Sequence, residues 1–143
     1  MASKLATKEV SVKTIITFGT FDVFHVGHVN ILERARALGD RLVVGVSSDA
    51  LNFSKKKRYP IYSQDDRLRI ISSLKFVDEV FLEESLEIKD IYIKQFNANV
   101  LVMGDDWLNK FDWVKEKTGC DVIYLQRTPA ISTTEVIEIV KKI

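Results

Sequence analysis

Residues 14–47, TIITFGTFDVFHVGHVNILERARALGDRLVVGVS, contain the pattern that decides the fold. Two apolar, β-rich runs predict strands, one at 13–18, which starts one residue before this stretch, and one at 41–47. Between them, residues 27–38 carry apolar side chains at helical spacing, and Gly39 ends that pattern. A strand, a helix and a second strand in this order predict two parallel strands joined by a helical crossover.

The same alternation continues along the rest of the chain. Further strands are predicted at 77–82, 99–104 and 121–125, and further helices at 64–75, 87–96, 107–117 and 133–142. Strands that alternate with helices form a parallel sheet covered on both faces. The sequence therefore predicts an α/β protein with a single doubly wound, Rossmann-like domain and a five-stranded parallel sheet. We assign 1–12 to a flexible N-terminal segment and 13–143 to this domain.

The composition is that of an ordinary globular protein, and it excludes several functional classes. With 46% hydrophobic and 29% charged residues, the chain is neither disordered nor fibrous. The 21 Lys and Arg against 20 Asp and Glu leave a net charge of +1, which provides no general basic field for nucleic acid. No apolar run approaches the length of a membrane span, and residues 1–12 lack the apolar core of a signal peptide. We therefore expect a cytoplasmic protein with no nucleic-acid or membrane partner.

Both histidines of the chain, His25 and His28, lie between the first predicted strand and the first predicted helix. Ligands of doubly wound sheets bind at the carboxyl ends of strands, and this turn follows such an end. A helix start offers free N–H groups and a partial positive charge, while Gly19 permits close approach of the backbone. The two imidazoles could donate hydrogen bonds to one phosphate. The pattern favours a phosphate-binding turn over a zinc site, for which further ligands are not evident.

Two other unusual stretches follow predicted strands. The basic run KKKR, residues 55–58, comes after the second strand and is either a solvated loop or a source of cations for a triphosphate. After the fourth strand, Asp105 and Asp106 could hold a metal, cap a helix or remain solvated. The adjacent Trp107 either stacks on a ligand or packs in the core. From the residues alone, each of these alternatives stays open.

The fifth predicted strand is followed by RTPAISTTE, residues 127–135. Ser132 and Glu135 have the spacing of a capping box, which predicts the start of the last helix. The same helix N-terminus, with Arg127 nearby, suits the oxygens of a phosphate group. Both interpretations can hold together, because each uses the free N–H groups of that first turn.

Four stretches, taken in order, resemble the His-x-Gly-His nucleotidyltransferases and, within them, the cytidylyltransferases. They are GTFDVFHVGH (19–28), LGDRLVVGVSSD (38–49), VMGDDW (102–107) and RTPAISTT (127–134). The resemblance covers about Thr14 to Ile139 and is nearest to the members that act on glycerol 3-phosphate. Two places depart from the usual pattern. Pro129-Ala130 stands where the family has Glu-Gly, and Tyr59-Pro60-Ile61 is more similar to the phosphocholine and phosphoethanolamine enzymes.

The resemblance implies transfer of CMP from CTP to a small phosphomonoester with release of pyrophosphate. Glycerol 3-phosphate is the first expected acceptor, and CDP-glycerol the expected product. The alternatives are phosphocholine, phosphoethanolamine or another polyol or sugar phosphate, or the use of ATP by an adenylyltransferase of the same superfamily. A non-enzymatic nucleotide- or nucleic-acid-binding module is a further alternative. The resemblance also implies Mg²⁺, held mainly by the triphosphate, and a homodimer.

The resemblance further implies roles for individual residues. The catalytic residues are His25, His28, Lys55 and Arg127. The nucleotide-binding residues are Gly19, Thr20, Phe21, Asp22, His25, His28, Gly104, Asp106, Arg127, Thr128, Ile131, Ser132 and Thr133. The acceptor-binding residues are Lys55, Lys57 and Arg67, the last of which is otherwise a cation on a helix surface. Asp106 would recognise the exocyclic amine of cytosine, and Asp22 would orient a histidine or touch the metal ion, for which no protein ligand is certain.

Overall fold

The computed structural model describes residues 11–127 and 132–143. Most of the predicted flexible N-terminal segment therefore lies outside the described residues, and that prediction is untested. The same holds for two predicted nucleotide contacts, Thr128 and Ile131, and for the Pro-Ala departure between them.

Five parallel strands form one sheet in the order β3–β2–β1–β4–β5. The strands are β1 (Thr14–Gly19), β2 (Arg41–Ser47), β3 (Glu79–Glu83), β4 (Val100–Gly104) and β5 (Asp121–Leu125). In the central strand β1, Ile16 pairs with Val43 of β2 on one side and with Leu101 of β4 on the other. The strand order reverses at β1, which is where doubly wound sheets bind their ligands. The predicted α/β class and five-stranded parallel sheet are confirmed.

Six α-helices and one short 3₁₀ helix connect the strands in the described residues. They are α1 (Val26–Arg36), α2 (Asp49–Lys56), α3 (Gln64–Ser72), α4 (Lys89–Gln95), the 3₁₀ helix Asp105–Trp107, α5 (Trp113–Thr118) and α6 (Thr133–Lys141). Four of them, α1, α3, α4 and α6, agree with predicted helices to within three residues at each end. None of the helices in this part of the chain is long and apolar enough to cross a membrane.

Helix α2 was not predicted, and it includes the start of the basic run. Ser48 caps it, because the Ser48 side chain accepts a hydrogen bond from the backbone N–H of Leu51 at 3.0 Å. The helix ends at Lys57, whose φ of 60° lies in the left-handed region. The first two lysines of the basic run therefore lie in a helix rather than a loop, and both are exposed.

The predicted helix at 107–117 is wrong over its first half. Residues Asp105–Trp107 form the 3₁₀ helix instead, and α5 begins only at Trp113. Between them Asn109 has a φ of 65°, which a right-handed helix cannot accommodate. The chain therefore turns sharply after β4 before helical structure resumes.

The three inner strands, β2, β1 and β4, are buried on both faces, as in a doubly wound sheet. Ile15 of β1 packs in one hydrophobic cluster with Leu32 of α1 and Ile71 of α3. Its neighbour Ile16 packs in a second cluster with Ile93 of α4 and Val114 of α5. Because neighbouring strand residues point to opposite faces, each cluster covers one side of the sheet. The loops at the carboxyl ends of the strands are left to bind ligands.

Candidate active site

A cavity of about 580 Å³ lies at the carboxyl ends of the strands. Gly19 borders it at the end of β1, Ser47 at the end of β2 and Glu83 at the end of β3. Met103 of β4 and Arg127 beyond β5 complete the contribution from the sheet. The volume is that of a site for a small molecule, at the place where the strand order reverses.

Most of the predicted site residues that the structure describes line this cavity. They are Gly19, Thr20, Phe21, Asp22, His25, His28, Lys55, Gly104, Asp106, Arg127, Ser132 and Thr133. Two predicted acceptor residues, Lys57 and Arg67, are not among the described residues that line it. The binding roles of all these residues stay predictions, but the structure brings the first twelve together.

The turn between β1 and α1 has an unusual backbone. Phe21 and Val23 have φ angles of 55° and 47°, in the left-handed region that residues with a Cβ seldom adopt. Gly19 is required beside them, because a Cβ at this position would lie 2.8 Å from the Phe21 ring. Backbone strain of this kind occurs mainly at functional sites, where the surrounding structure holds it in place.

Hydrogen bonds to backbone N–H groups at the start of α1 orient the two histidine rings. His25 is the N-cap of the helix, and its Nδ1 accepts a hydrogen bond from the Gly27 N–H at 3.0 Å. The backbone N–H of His25 donates in turn to Nδ1 of His28 at 3.2 Å, and the rings stack with centroids 3.8 Å apart. Because both Nδ1 atoms accept hydrogen bonds, each neutral imidazole carries its proton on Nε2. The Nε2 of His25 is buried and has no partner among the described residues.

Burial favours the neutral form of both imidazoles. Burial is the main cause that lowers the pKa of His28 to about 4; repulsion from His25 adds to the effect, and attraction to Asp22 opposes it. Burial also lowers the pKa of His25. In the neutral form the pair presents hydrogen-bond donors rather than positive charges to an oxygen anion.

Asp22 connects the turn to two distant parts of the chain. Its carboxylate accepts hydrogen bonds from the backbone N–H groups of Ile61 and Tyr62 at 2.8 and 2.9 Å. Its carbonyl oxygen accepts one from the Thr133 hydroxyl at 2.9 Å. Both carboxylate oxygens thus bind the loop before α3, and neither hydrogen-bonds to a histidine among the described residues. The sequence did not reveal this role, since the partners lie 39, 40 and 111 residues away.

Arg67 is fully buried, with 0% of its surface exposed, so the alternative of a cation on a helix surface is wrong. Its guanidinium donates to the carbonyl oxygens of Thr20, Ser47 and Tyr62 at 2.7–3.0 Å. It also pairs with the Asp49 carboxylate at 2.7 Å. Arg67 therefore ties the ends of β1 and β2 to the loop before α3, and its described partners are protein groups.

The basic run is divided between the cavity and the surface. Lys55 and Lys56 form the last turn of α2 and line the cavity with Arg58, whereas Lys57 is not among the lining residues described. Burial lowers the pKa of Lys55, while attraction to Glu83 opposes that change. A lysine that is partly withdrawn from water beside a cavity is suited to bind a phosphate.

The loop after β4 forms another wall of the cavity. The Asp106 carboxylate lies over Gly104, because a Cβ at position 104 would be 2.7 Å from its Oδ1 atom. Trp107 also lines the cavity and packs on Phe111, with ring centroids 5.3 Å apart. The Nζ atom of Lys55 lies 6.0 Å from the Trp107 ring centroid. Trp107 therefore packs against the core, while its stacking on a ligand stays a prediction.

A buried ion pair on the cavity wall, Glu83 with Lys89, was missed from the sequence. Lys89 Nζ donates to Glu83 Oε2, and the two residues are 0% and 1% exposed. A signal was present, since Glu83 ends an apolar strand at the edge where doubly wound sheets bind ligands. Asn52 was also missed: its side chain accepts a hydrogen bond from the Thr20 hydroxyl at 2.8 Å and lines the cavity.

Several known proteins share much of this sequence. The family model described as "Cytidylyltransferase-like" matches residues 16–139. The glycerol-3-phosphate cytidylyltransferase of Bacillus subtilis strain 168 is 47% identical over 88% of this chain and 95% of its own length. The protein of that name from Staphylococcus aureus strain NCTC 8325 / PS 47 is 42% identical over 87% of this chain and 92% of its own.

A solved structure shows the same fold. The lipopolysaccharide core biosynthesis protein from Thermoplasma volcanium superposes with a TM-score of 0.74 over 82% of this chain and 99% of its own. Its sequence identity is 24%, so this likeness concerns the architecture alone.

Proposed function

Because the chain belongs to the cytidylyltransferase-like family, we propose that it transfers CMP from CTP to glycerol 3-phosphate, which yields CDP-glycerol and pyrophosphate. Relatives at 42% and 47% identity are named for this activity. The observation that carries the proposal is the histidine pair, in which the buried Nε2 of His25 has no partner among the described residues. An oxygen of the α-phosphate of CTP supplies the missing acceptor.

The reaction is a displacement at phosphorus. A phosphate oxygen of the acceptor forms a bond to the α-phosphorus of CTP, and the bond to the oxygen that bridges to the β-phosphorus breaks. Pyrophosphate leaves with that oxygen and its electron pair. The attacking oxygen is already anionic, so catalysis depends on positioning and on stabilisation of charge rather than on a strong base. His25 and His28 suit that task, because their Nδ1 atoms are occupied and their Nε2–H groups donate.

The leaving pyrophosphate needs positive charge, and three features of the cavity offer it. Lys55 and Arg127 line the cavity as cations. The N-terminus of α6 also faces it through Ser132 and Thr133. Ser132 caps that helix by accepting a hydrogen bond from the Glu135 N–H at 3.1 Å, and the other N–H groups of the first turn suit phosphate oxygens. We assign pyrophosphate to these two cations and this helix N-terminus.

Mg²⁺ is part of the proposal, bound to the triphosphate. Among the residues described, no three His, Cys, Asp or Glu side chains are grouped closely enough to hold a metal ion. Both carboxylate oxygens of Asp22 already accept backbone hydrogen bonds. These residues fit an ion held mainly by phosphate oxygens and water. When bound, the ion would neutralise phosphate charge.

Selection of cytosine is assigned to the loop after β4. The Asp106 carboxylate lines the cavity and lies over Gly104. We propose that it accepts a hydrogen bond from the exocyclic amine of cytosine, a donor that uracil lacks. A site built to pair with one polar group discriminates strongly against a base without it.

The decisive experiment is an assay of pyrophosphate release with CTP and a panel of phosphomonoesters. We expect glycerol 3-phosphate to give the highest kcat/KM, above phosphocholine, phosphoethanolamine and sugar phosphates. Preference for another acceptor would contradict the glycerol assignment, and a preference for ATP would contradict the cytidylyltransferase assignment. Binding of CTP without turnover of any acceptor would favour the non-enzymatic alternative.

The homodimer implied by the family resemblance and the cytoplasmic location expected from the sequence belong to the same proposal. Light scattering coupled to size-exclusion chromatography tests the first, since it separates a mass near 16.4 kDa from twice that value. A monomer at the concentrations used in the assay would contradict it.

A further inference from the structure

Asn52 of helix α2 is a buried polar residue on the wall of the cavity, with 2% of its surface exposed. Its Nδ2 atom donates to the carbonyl oxygens of Ser48 at 2.9 Å and of Ser47 at 3.3 Å. A carbonyl oxygen can only accept, so these two contacts establish which end of the amide carries the nitrogen. The other end, Oδ1, accepts the proton of the Thr20 hydroxyl at 2.8 Å.

The hydroxyl groups of Thr20 and Ser47 complete a closed network with this amide. Asn52 Nδ2 also donates to Ser47 Oγ at 3.0 Å. The two hydroxyl oxygens lie 3.1 Å apart, and because the Thr20 proton already goes to Asn52, Ser47 supplies the proton of this bond. We call these three residues the Asn52 network. Each polar hydrogen of its side chains has a protein acceptor, so the network joins parts of the protein rather than donating to a ligand.

The Asn52 network joins three elements that meet at the cavity. Thr20 follows β1, Ser47 ends β2 and Asn52 lies in α2. Helix α2 has eight residues, of which only Leu51 and Asn52 are buried. Apolar packing of this helix on the domain is therefore slight, while polar groups left unpaired at this depth would cost free energy. The attachment of α2 thus depends largely on the hydrogen bonds of Asn52.

The position of α2 matters for Lys55, which the proposed function assigns to the leaving pyrophosphate. Residues three apart lie on the same face of a helix, so Lys55 lies beside Asn52 on the face that lines the cavity. Lys55 itself is exposed, so packing around its long side chain does not determine where its ammonium lies. The charges of Lys56 and Arg67 repel that ammonium, while Glu83 attracts it. A fixed helix is therefore needed to keep it in one place at the cavity.

We propose that Asn52 is a positioning residue, which fixes α2 against the ends of β1 and β2 and thereby holds Lys55 where the pyrophosphate leaves. This inference rests on the proposed function and deepens it. Turnover depends steeply on such placement, since a displacement of about 1 Å in a catalytic group can lower it ~100-fold. Both hydrogens of the Asn52 amide are bound to protein oxygens, so direct donation to a phosphate does not account for its place at the cavity.

A double-mutant cycle between Asn52→Ala and Lys55→Met tests the inference. Release of pyrophosphate from CTP and glycerol 3-phosphate gives kcat/KM for the unaltered protein, for each single variant and for the double variant. We expect Asn52→Ala to lose ~5-fold by misplacing the ammonium, and Lys55→Met to lose ~10-fold by removing it. The double variant should also lose only ~10-fold, rather than the ~50-fold of two independent effects.

Two further variants separate positioning from folding. Ser54→Ala removes a hydroxyl of the same helix, one that donates to the Leu51 carbonyl oxygen at 2.7 Å, and should leave kcat/KM unchanged. Ser47→Ala removes one hydroxyl of the Asn52 network, and it replaces Asn52→Ala in the cycle if that variant lacks a cooperative urea transition. Urea denaturation should show the same loss of stability from Asn52→Ala with and without Lys55→Met, because the network does not include Lys55.

Three results would overturn the inference. One is a normal kcat/KM in either folded single variant of the cycle. Another is a double variant whose loss equals the product of the two single losses, which would show that Asn52 acts independently of Lys55. Either leaves the proposed function standing, because the unaltered protein still converts glycerol 3-phosphate with CTP. The third is absence of turnover with every acceptor in the unaltered protein, in which case the proposed function fails and this inference with it.

Discussion

The turn Gly19–His28 and the segment Lys55–Arg67 both border the cavity, but they are held in different ways. In the turn, the bonds that orient the histidines join residues two or three positions apart. The segment is instead bonded to the turn over long stretches of chain: Ile61 donates to Asp22, 39 residues away, and Arg67 donates to Thr20, 47 residues away. A pattern in the sequence can reveal a local arrangement, whereas it cannot reveal which side chains meet across the fold.

The three basic residues of the segment that were assigned to the acceptor show the consequence. Lys55 lines the cavity, and Arg67 is buried with protein partners. Lys57 ends helix α2 in the left-handed region and is exposed. The three side chains carry the same charge. Only their positions in the fold make Lys55 a candidate for ligand binding, Arg67 a structural residue and Lys57 a surface residue.

Among the variants considered, His28→Ala is expected to have the largest effect on activity. We expect kcat to fall by ~100-fold or more, because the variant loses a donor to the developing charge and also the acceptor of the His25 backbone N–H. Pyrophosphate release measures the effect, with circular dichroism as a check on folding. Near-normal turnover would contradict the proposed catalytic role of the histidine pair.

Arg67→Lys tests whether Arg67 stabilises the fold or binds the acceptor. Lysine cannot reproduce the bonds to three carbonyl oxygens and Asp49, so the free energy of unfolding should fall by about 2 kcal/mol. Urea denaturation measures it. Unchanged stability together with a raised KM for the acceptor would instead support the original prediction that Arg67 binds the acceptor.

Lys55→Met and Lys57→Met form a matched pair within the basic run. We expect the first to lower kcat/KM by ~10-fold, as for losing one bond from a cation to phosphate, and the second to change it by less than about twofold. The same pyrophosphate assay compares them. Equal losses in the two variants would show that the whole run acts as a diffuse positive surface rather than through the lysine in the cavity.

The smallest expected effect concerns pH and the buried His28. Its pKa is about 4 in the folded protein and near 6.5 when unfolded, so acidification between these values protonates mainly the unfolded chain. The stability contribution of the neutral, buried ring is complete above pH 6.5 and declines as the pH falls towards 4. Between pH 6.5 and 5.5, we expect this residue to lower the free energy of unfolding by about 1 kcal/mol.

The measurement is urea denaturation at the two pH values for the unaltered protein and for His28→Asn. Asparagine can still accept the hydrogen bond from the His25 backbone and does not titrate. The unaltered protein should lose more stability than the variant on acidification. Equal losses would mean that His28 titrates alike in the folded and unfolded states.

The fold was largely predictable because buried strands and amphipathic helices have short-range periodicity. All five strands were identified, and β2 and β5 have the predicted bounds. Helix α2 was not, since Leu51 and Asn52 are its only buried residues and its end is basic. In the site, the ion pair of Glu83 and Lys89 was missed because its two members belong to different elements.

The order of strands and helices along the chain, the parallel sheet and the place of the histidine turn after the first strand could all be predicted from the amino-acid sequence. These features depend on periodicity and on contacts within a few residues, which the chain order contains directly. Only the tertiary structure decided which charges are buried, which face the cavity and which remain in water. That decision depends on packing between elements far apart in the chain, because packing determines how much water each charge keeps and which partner replaces the rest.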